Sequence, residues 1–321
     1  MTTRHFGSLL VILSSALAGA SHAAWPERPV TIVVPFAAGG NTDSIARITA
    51  DWLTRSLKGS VIIENKPGAN GALAAEYVAK AKNDGYTLFL ATAPQMAILP
   101  HLQKVRYDPV QSFTPVSIVA TNPFALAASA KTGWLKLGDM VQAAKSKPNA
   151  VAYASAGAGS VSHLTTALFA QRAGISLNHV PYKGGSPAIN DVVGGHAPFY
   201  FGNLAEVIPH AKSSRIKVLA VSGAQRSDSM PDVPTVAELG YPAFETTTWN
   251  AISAPAGTPK EVVDALSKAI LAACKDTEFK SKLLAIGVDP LCSTPQQYAQ
   301  TLNTDTIKWT EAIRISGAKL D

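Results

Sequence analysis

The feature that most constrains the fold is a repeated order of apolar run, small-residue loop and helical pattern. Residues 30–36 (VTIVVPF) are an apolar, β-branched run that ends at Ala37-Ala38-Gly39-Gly40, and residues 45–57 follow with helical spacing. Because strands that alternate with helices pair mainly in parallel, the order predicts an α/β protein with largely parallel sheets. It recurs at residues 61–64 and 72–82, 151–155 and 162–173, and 179–182 and 187–193, with further strands at 87–91, 198–201 and 216–221 and closing helices at 259–273, 278–286 and 296–315.

Two segments interrupt this alternation. They are Thr121-Asn122-Pro123 and residues 222–232, which are rich in Ser, Gln, Arg and Pro. We place crossings between two lobes there, which gives a first lobe of residues 24–122 and 226–321 around a second lobe of residues 123–225. A chain of 321 residues with 47% apolar residues can build two cores, so disorder is excluded as its main state. Ligands of open α/β sheets bind beyond the carboxyl ends of the strands, so two such lobes should enclose a cleft.

The first residues have the pattern of a secretory signal. Arg4 and His5 precede an apolar run at residues 9–13. Ser21-His22-Ala23 has small residues at the two positions that a signal peptidase recognises. The run is shorter than the ~20 apolar residues of a membrane span. We therefore predict a signal peptide of residues 1–23 and export to the periplasm; a retained anchor helix agrees less well with the cleavage pattern. No cysteine sits at the cleavage site, so no lipid anchor is expected.

Composition excludes several classes of partner. The formal charge is +6, and the 28 Lys and Arg form no stripe, so nucleic acid is not an expected partner. The seven histidines lack the spacings of metal sites, and two cysteines cannot build a zinc site by themselves, so we predict no metal and no cofactor. In an oxidising compartment Cys274 and Cys292 could instead form one disulfide.

The first candidate binding loop joins the first strand to its helix. Ala37, Ala38, Gly39, Gly40 and Asn41 let the backbone approach a ligand, and free amides at a helix N-terminus attract a carboxylate or phosphate. The loop lacks the motifs of nucleoside triphosphatases and of dinucleotide sites. A tight turn capped by Thr42 or Asp43 is the alternative. Asp43 itself could face an amine on the ligand or brace the loop.

A second loop of the same kind, residues 155–163, offers a second binding site for an anion. Gly157 and Gly159 free the backbone, and Ser160 can donate to a carboxylate or cap the helix that follows. Ser160 and His163 also suggest a secreted hydrolase with a nucleophile and a base. The G-x-S-x-G elbow is absent, however, so a packed histidine is the preferred interpretation of His163.

Three further strand-end loops complete the candidate cleft. Tyr182 precedes Lys183-Gly184-Gly185 and can form a wall, with Lys183 as the cation of these loops. Asn203 and Thr92 can donate hydrogen bonds to the distal end of a ligand.

Several motifs in this order resemble the Bug (TctC-like) family, and they cover nearly the whole mature chain. They are residues 33–40 (VVPFAAGG) with Asp43, 65–71 (NKPGANG), 84–88 (DGYTL), 107–109 (YDP), 153–155 (YAS), 179–184 (HVPYKG), 219–221 (LAV), 231–235 (PDVPT) with Glu238 and Gly240, and 254–259 (APAGTP).

The resemblance implies a two-lobe, type II-like periplasmic binding protein that closes on a small carboxylate, and not an enzyme. It places the carboxylate seat on residues 37–41 with Asp43, on Gly157, Gly159, Ser160 and His163, and on Tyr182. It also implies delivery to membrane transporter subunits (TctA/TctB-like), and we expect a monomer. A sensor that docks to a signalling partner is the alternative.

Two departures from the family pattern concern the ligand. Residues 92–97 (TAPQMA) replace a small polar run, and Gly202 stands where Asp is frequent. The family's ligands include acidic amino acids, dicarboxylates, tricarboxylates and aromatic carboxylates. Since the loops lack the extra arginine that would mark a tricarboxylate, we expect a mono- or dicarboxylate.

Overall fold

The computed structural model describes residues 25–212 and 214–319; the predicted signal peptide lies outside them. The strands are β1 (Val30–Val34), β2 (Val61–Asn65), β3 (Thr87–Thr92), β4 (Phe113–Ser129), β5 (Ala152–Ser155), β6 (Asn178–Pro181), β7 (Phe199–Asn203), β8 (Ile216–Val221), β9 (Thr247–Pro255) and β10 (Asp289–Pro290). The α-helices are α1 (Asn41–Leu57), α2 (Ala72–Ala79), α3 (Leu99–Leu102), α4 (Leu137–Ser146), α5 (Val161–Ala173), α6 (Gly185–Gly194), α7 (Leu204–Ala211), α8 (Lys260–Ala273), α9 (Thr277–Ala285) and α10 (Pro295–Ser316). A π-helical turn, Pro94–Ile98, leads into α3, and short 3-10 turns lie at Ala69–Gly71 and Ala130–Thr132.

Two sheets share the long strand β4. In the first sheet the order is β2-β1-β3-β9-β4, and β10 also pairs with β4. Here β1 pairs in parallel with β2 and β3, whereas β9 pairs antiparallel with β3 and β4. In the second sheet β5 pairs in parallel with β6 and β7, whereas β4 pairs antiparallel with β7 and β8. The sheets are therefore mixed: the predicted strand–helix units are parallel, whereas β4, which connects the two sheets, pairs antiparallel with its neighbours.

Strand β4 was not predicted, because Asn122 and Pro123 had the composition of a linker. Its residues up to Pro123 pair with β9, and from Phe124 onward its residues pair with β7 and β8. Proline cannot donate a ladder hydrogen bond, and it is tolerated at this position, where the neighbouring strands change. The segment that looked like a break is a single strand passing from one sheet to the other.

The division into lobes stays a proposal, and the hydrogen bonds suggest where the crossings lie. The first falls at Pro123 and Phe124, next to the predicted boundary at residue 122. The segment 222–246 stays beside the second sheet, since Thr235 bridges to Val221 and the guanidinium of Arg172 donates to the carbonyl of Pro242 at 2.9 Å. We therefore propose that the chain returns to the first lobe at β9 and not near residue 226.

Helix α1 shows how the sequence pattern produces the core. Ile45, Thr49 and Leu53 recur every four residues and are buried together with the apolar residues of β1 and α8. The helix ends at Lys58, which adopts a left-handed conformation with φ of 53°. This packing fixes the N-terminus of α1 at the end of β1.

The C-terminal helix α10 packs against both halves of the molecule. It contacts α5 of the second lobe and the π-helical turn of the first. The indole N–H of Trp249 on β9 donates to Asp305 of α10 at 2.8 Å, and the hydroxyls of Ser253 and Tyr298 lie 2.9 Å apart. No helix among the described residues is long and apolar enough to cross a membrane.

Cys274 and Cys292 form a disulfide, as the sequence allowed. The bridge spans 18 positions and joins the end of α8 to the loop before α10. Closing a loop of this length restricts the unfolded chain, which stabilises the folded protein by about 3 kcal/mol.

We expect the double variant Cys274→Ser, Cys292→Ser to lose about that much unfolding free energy in urea, since the loop is no longer closed in the unfolded state. Reductant should lower the stability of the wild-type protein and leave the double variant unchanged. Equal stability of the oxidised wild type and the variant would contradict the role given to the bridge.

Candidate functional site

A cavity of about 740 Å³ lies between the two sheets. Its walls come from loops that follow β1, β3, β5 and β7 and from the strands β4 and β9. The carboxyl ends of strands from both sheets thus face one space, which is the position expected for a ligand in such folds.

The structure brings together eight of the thirteen candidate residues named from the sequence. Those that line the cavity are Ala37, Ala38, Gly40, Asn41, Thr92, Gly159, Ser160 and Asn203. Those that lie outside its lining are Gly39, Asp43, Gly157, His163 and Tyr182. The second group mainly holds the loops in place, as the contacts below show.

The loop after β1 is braced by Asp43, which is only 2% exposed. Its carboxylate accepts hydrogen bonds from the Gly39 amide at 2.9 Å, from Asn65 at 2.9 Å and from Arg47 at 2.9 and 3.2 Å. Burial alone would raise the pKa of Asp43, but these donors hold the pKa below its ordinary value. Of the two roles considered for Asp43, the structure supports bracing.

The N-terminus of α1 is open toward the cavity. The helix begins at Asn41 with Gly40 as its N-cap, so neither Thr42 nor Asp43 caps it, and among the described residues no side-chain cap hydrogen bond reaches its first-turn amides. Because Gly40 and Asn41 line the cavity, these amides and the helix dipole can hold an anion there.

The loop after β5 is largely bonded to itself. The Ser160 hydroxyl donates to the Gly157 carbonyl at 2.6 Å and accepts the His163 amide at 3.3 Å, so Ser160 is the N-cap of α5. The Ser162 hydroxyl accepts the Ala156 amide at 2.8 Å. Ser160 and Ser162 nevertheless line the cavity, so their oxygens form part of its wall.

His163 is a packed residue and not a base for Ser160. Its Nδ1 accepts the Gly159 amide at 3.1 Å, and its ring stacks on His179 with centroids 3.9 Å apart. Burial, together with the neighbouring His179, lowers the pKa of His163 to about 4, so the ring is neutral at pH 7. The Ser160 hydroxyl donates to the Gly157 carbonyl, and within the described residues no hydrogen bond joins it to this ring, so these two side chains are not placed as nucleophile and base.

Thr92 in the cavity wall is hydrogen-bonded to Gln95, a fully buried residue of the π-helical turn. The Thr92 hydroxyl donates to the side-chain oxygen of Gln95, and the Gln95 amide group donates to the Asn70 carbonyl at 2.8 Å. Tyr182 is not in the lining, and its hydroxyl donates to Asp191 of α6 at 2.6 Å. Gln95 and Asn70 were not among the candidates, although the unusual residues 92–97 pointed to this loop.

Two buried asparagines in the cavity wall were not among the candidates named from the sequence. Asn122 on β4 and Asn250 on β9 are buried, line the cavity, and have side-chain oxygens without a hydrogen-bond partner among the described residues. Buried polar groups usually have partners, and a ligand can supply them here. Asn122 lay inside a tripeptide interpreted only as a boundary, and β9 was not predicted at all.

The cavity lining carries little charge. Among the described lining residues there is no Lys, Arg or His, and Glu206 of α7 is the one acidic side chain. Lys183, the cation noted in the sequence, is not in the lining. A negatively charged ligand must therefore be held by backbone amides, hydroxyls and side-chain amides.

The family model for the "Tripartite tricarboxylate transporter family receptor" matches residues 45–317. The chain belongs to this family. The resemblance to the Bug (TctC-like) family is thereby confirmed, and the family is one of receptors. Protein BugT of Bordetella pertussis is 35% identical over 320 residues, which is 97% of this chain and 98% of that protein.

Solved structures of this receptor family share the fold. One described as "R. palustris Rpa4515 with adipate" is 34% identical with a TM-score of 0.79, covering 92% of this chain and all of that one. Another, "MatC (Rpa3494) from Rhodopseudomonas palustris with bound malate", is 30% identical with a TM-score of 0.74, covering 90% of this chain and all of that one. These likenesses confirm the predicted α/β, two-lobe binding-protein fold.

Asp43→Asn should lower the unfolding free energy by about 2 kcal/mol, because Arg47 and the Gly39 amide lose a charged acceptor inside the loop. The measurement is urea denaturation at neutral pH. Asp51→Asn is a matched control, since Asp51 pairs with Arg55 at the same helical spacing on the exposed face of α1. The control should change by less than about 0.5 kcal/mol, and an equal loss in both variants would contradict the bracing role.

His163 should make the fold less stable in acid. Between about pH 6.5 and about pH 4 the unfolded chain binds a proton at this histidine that the folded protein does not, so stability falls as pH falls through that window. The pKa of His179 is also lowered by burial and acts in the same direction. His163→Gln should remove up to about 3 kcal/mol of this pH dependence, measured by denaturation across the window. His101→Gln, at an exposed position, should keep the wild-type slope.

Proposed function

We propose that this chain is a periplasmic solute-binding receptor that captures a small carboxylate by lobe closure and delivers it to the membrane subunits of a tripartite transporter. The observation that carries the proposal is the cavity itself: strand-end loops of both sheets and an uncapped helix N-terminus face one space. Such an arrangement suits an anion that must touch both lobes at once.

The lining supports a carboxylate held by neutral donors. The amides at the start of α1 lie on one wall, and Ser160 and Ser162 lie on the other; to donate to the ligand, the Ser160 hydroxyl would turn its proton away from the Gly157 carbonyl. The side-chain amides of Asn122 and Asn250 can donate through their N–H groups, whereas their oxygens, which have no partner among the described residues, can accept from a donor group elsewhere on the ligand. Hydrogen bonds between neutral donors and an ionised carboxylate are stronger than those between neutral groups, so affinity does not require an arginine.

Closure of the two lobes on the ligand follows from the division of hydrogen-bond donors between the two walls of the cavity. A ligand bound to one wall alone gains half of the available hydrogen bonds, so the state in which both walls meet the ligand has the higher affinity. The crossing segments at Pro123–Phe124 and before β9 are where the backbone would bend. Ser222 tethers them, since its hydroxyl donates to the Thr246 carbonyl and accepts the Phe124 amide at 2.8 Å.

The relatives support the ligand class and the role. Their described ligands, adipate and malate, are small carboxylates, and the family's description as a transporter receptor supports delivery to membrane subunits over docking to a signalling partner. The predicted signal peptide and the disulfide both suit an oxidising compartment outside the cytoplasm. We propose that the receptor acts there as a monomer.

A carboxylate ligand should raise the thermal midpoint of residues 24–321, because it binds the folded state alone. At ~100-fold excess over its dissociation constant it adds about 2.7 kcal/mol of stability. The panel comprises aliphatic mono- and dicarboxylates, acidic amino acids and aromatic carboxylates. No shift with any member, after unfolding and dialysis to remove a bound ligand, would overturn the proposed function.

A matched pair of variants tests whether the ligand binds in this cavity. Asn250→Leu keeps the size of a residue in the cavity wall but removes its amide, so the ligand-induced shift should shrink while the midpoint without ligand is kept or raised. Asn303→Leu makes the same change on the exposed face of α10 and should leave the shift intact. An undiminished shift in Asn250→Leu would place the ligand elsewhere.

A further inference from the structure

The acidic side chain in the cavity wall, Glu206, has an arrangement that the proposed function does not explain. Glu206 lies in the first turn of α7, directly after the strand-end residue Asn203. In a cavity meant for an anion, a carboxylate without a cation repels the ligand. Its contacts show that it is held in place and is not a mobile surface group.

Tyr200 fixes this carboxylate. The tyrosine is 1% exposed, and its hydroxyl donates to Glu206 Oε2 at 2.9 Å. A Cβ at Gly202 would collide with the Tyr200 ring, so the glycine two residues along β7 lets the ring lie flat against the strand. Burial, together with Glu206, raises the pKa of Tyr200, so the phenol keeps its proton and remains the donor.

The carboxylate also lies against the start of another helix. A Cβ at Gly185 would collide with both carboxylate oxygens, so Glu206 rests directly on the first turn of α6. The positive end of a helix dipole favours negative charge there. No ion pair with Lys, Arg or His involves Glu206 among residues 25–212 and 214–319. Burial raises the pKa of Glu206 against the lowering effect of the Tyr200 hydrogen bond, so a cation would relieve the cost of this charge.

We propose that Glu206 selects a carboxylate ligand that also carries a protonated amine, and that it rejects ligands that bring a second carboxylate to the same place. This rests on the proposed function, because the amine is recognised only in a ligand whose carboxylate is bound at the loop amides. Selection then has two parts: an attraction between the ammonium and Glu206, and a repulsion between like charges for the competing ligand. The neighbouring Ser162 hydroxyl and the asparagine amides can donate or accept, so they fit either ligand and leave the choice to Glu206.

Three pairs of compounds test the selection, each with an amine nitrogen in place of one carboxyl carbon. They are β-alanine with succinate, γ-aminobutyrate with glutarate, and δ-aminovalerate with adipate. Titration calorimetry at neutral pH measures both members against the wild type and against Glu206→Gln, which keeps the shape and removes the charge. For at least one pair the wild type should bind the amine tighter by about tenfold or more, and Glu206→Gln should abolish or reverse that preference.

Two further variants separate charge from structure. Tyr200→Phe removes only the hydroxyl that positions the carboxylate, so the preference for the amine should weaken but keep its direction. Glu261→Gln removes an exposed charge from the first turn of α8, outside the cavity, and should keep the full preference. Thermal midpoints without ligand establish that each variant is folded.

The outcomes distinguish this inference from the proposed function. If the wild type binds the dicarboxylates as tightly as the amines, or if Glu206→Gln leaves the ratio unchanged, the selection by Glu206 is wrong while carboxylate binding stands. If neither protein binds any carboxylate, from these pairs or from the wider panel, the proposed function fails and this inference fails with it.

Discussion

The 17 residues of β4 belong to two sheets at once, and the rest of the architecture depends on that continuity. Up to Pro123 the strand completes the first sheet beside β9, and from Phe124 it forms the centre of the second sheet between β7 and β8. Because backbone hydrogen bonds fix the strand on both sides of the crossing, the strand ends of the two sheets must face each other. The cavity is the space that this leaves open.

Within that cavity the groups that can hold a charged ligand are dipoles. Hydroxyls, side-chain amides and the open end of α1 line the walls, and no basic side chain is among the lining residues that the structure describes. Dipoles fixed by the backbone need no reorganisation when an anion enters, and they are already desolvated in part. The same lack of cations makes the one acidic group, Glu206, the strongest local influence on what else a ligand may carry.

Several residues that looked like ligand contacts serve the loops instead. Asp43 occupies the amide of Gly39, and His163 occupies the amide of Gly159, so both amides are already bonded inside the protein. The loops keep their shape through these bonds when no ligand is present. A preformed loop loses less conformational entropy on binding, which favours affinity without adding a direct contact.

The sequence by itself determined the strand–helix units, the loops that follow the strands and the family, because these depend on local hydrophobic period, on small residues and on ordered motifs. It also located several residues of the cavity wall, namely Ala37, Ala38, Gly40, Asn41, Gly159 and Ser160. Only the tertiary structure decided that β4 passes from one sheet to the other and that β9 pairs beside it, since strand partners far apart in the sequence leave no local pattern. For the same reason it alone brought Asn122, Asn250 and Glu206 into one wall and turned Asp43 and His163 away from it: whether a polar group faces a ligand or a neighbouring amide depends on packing.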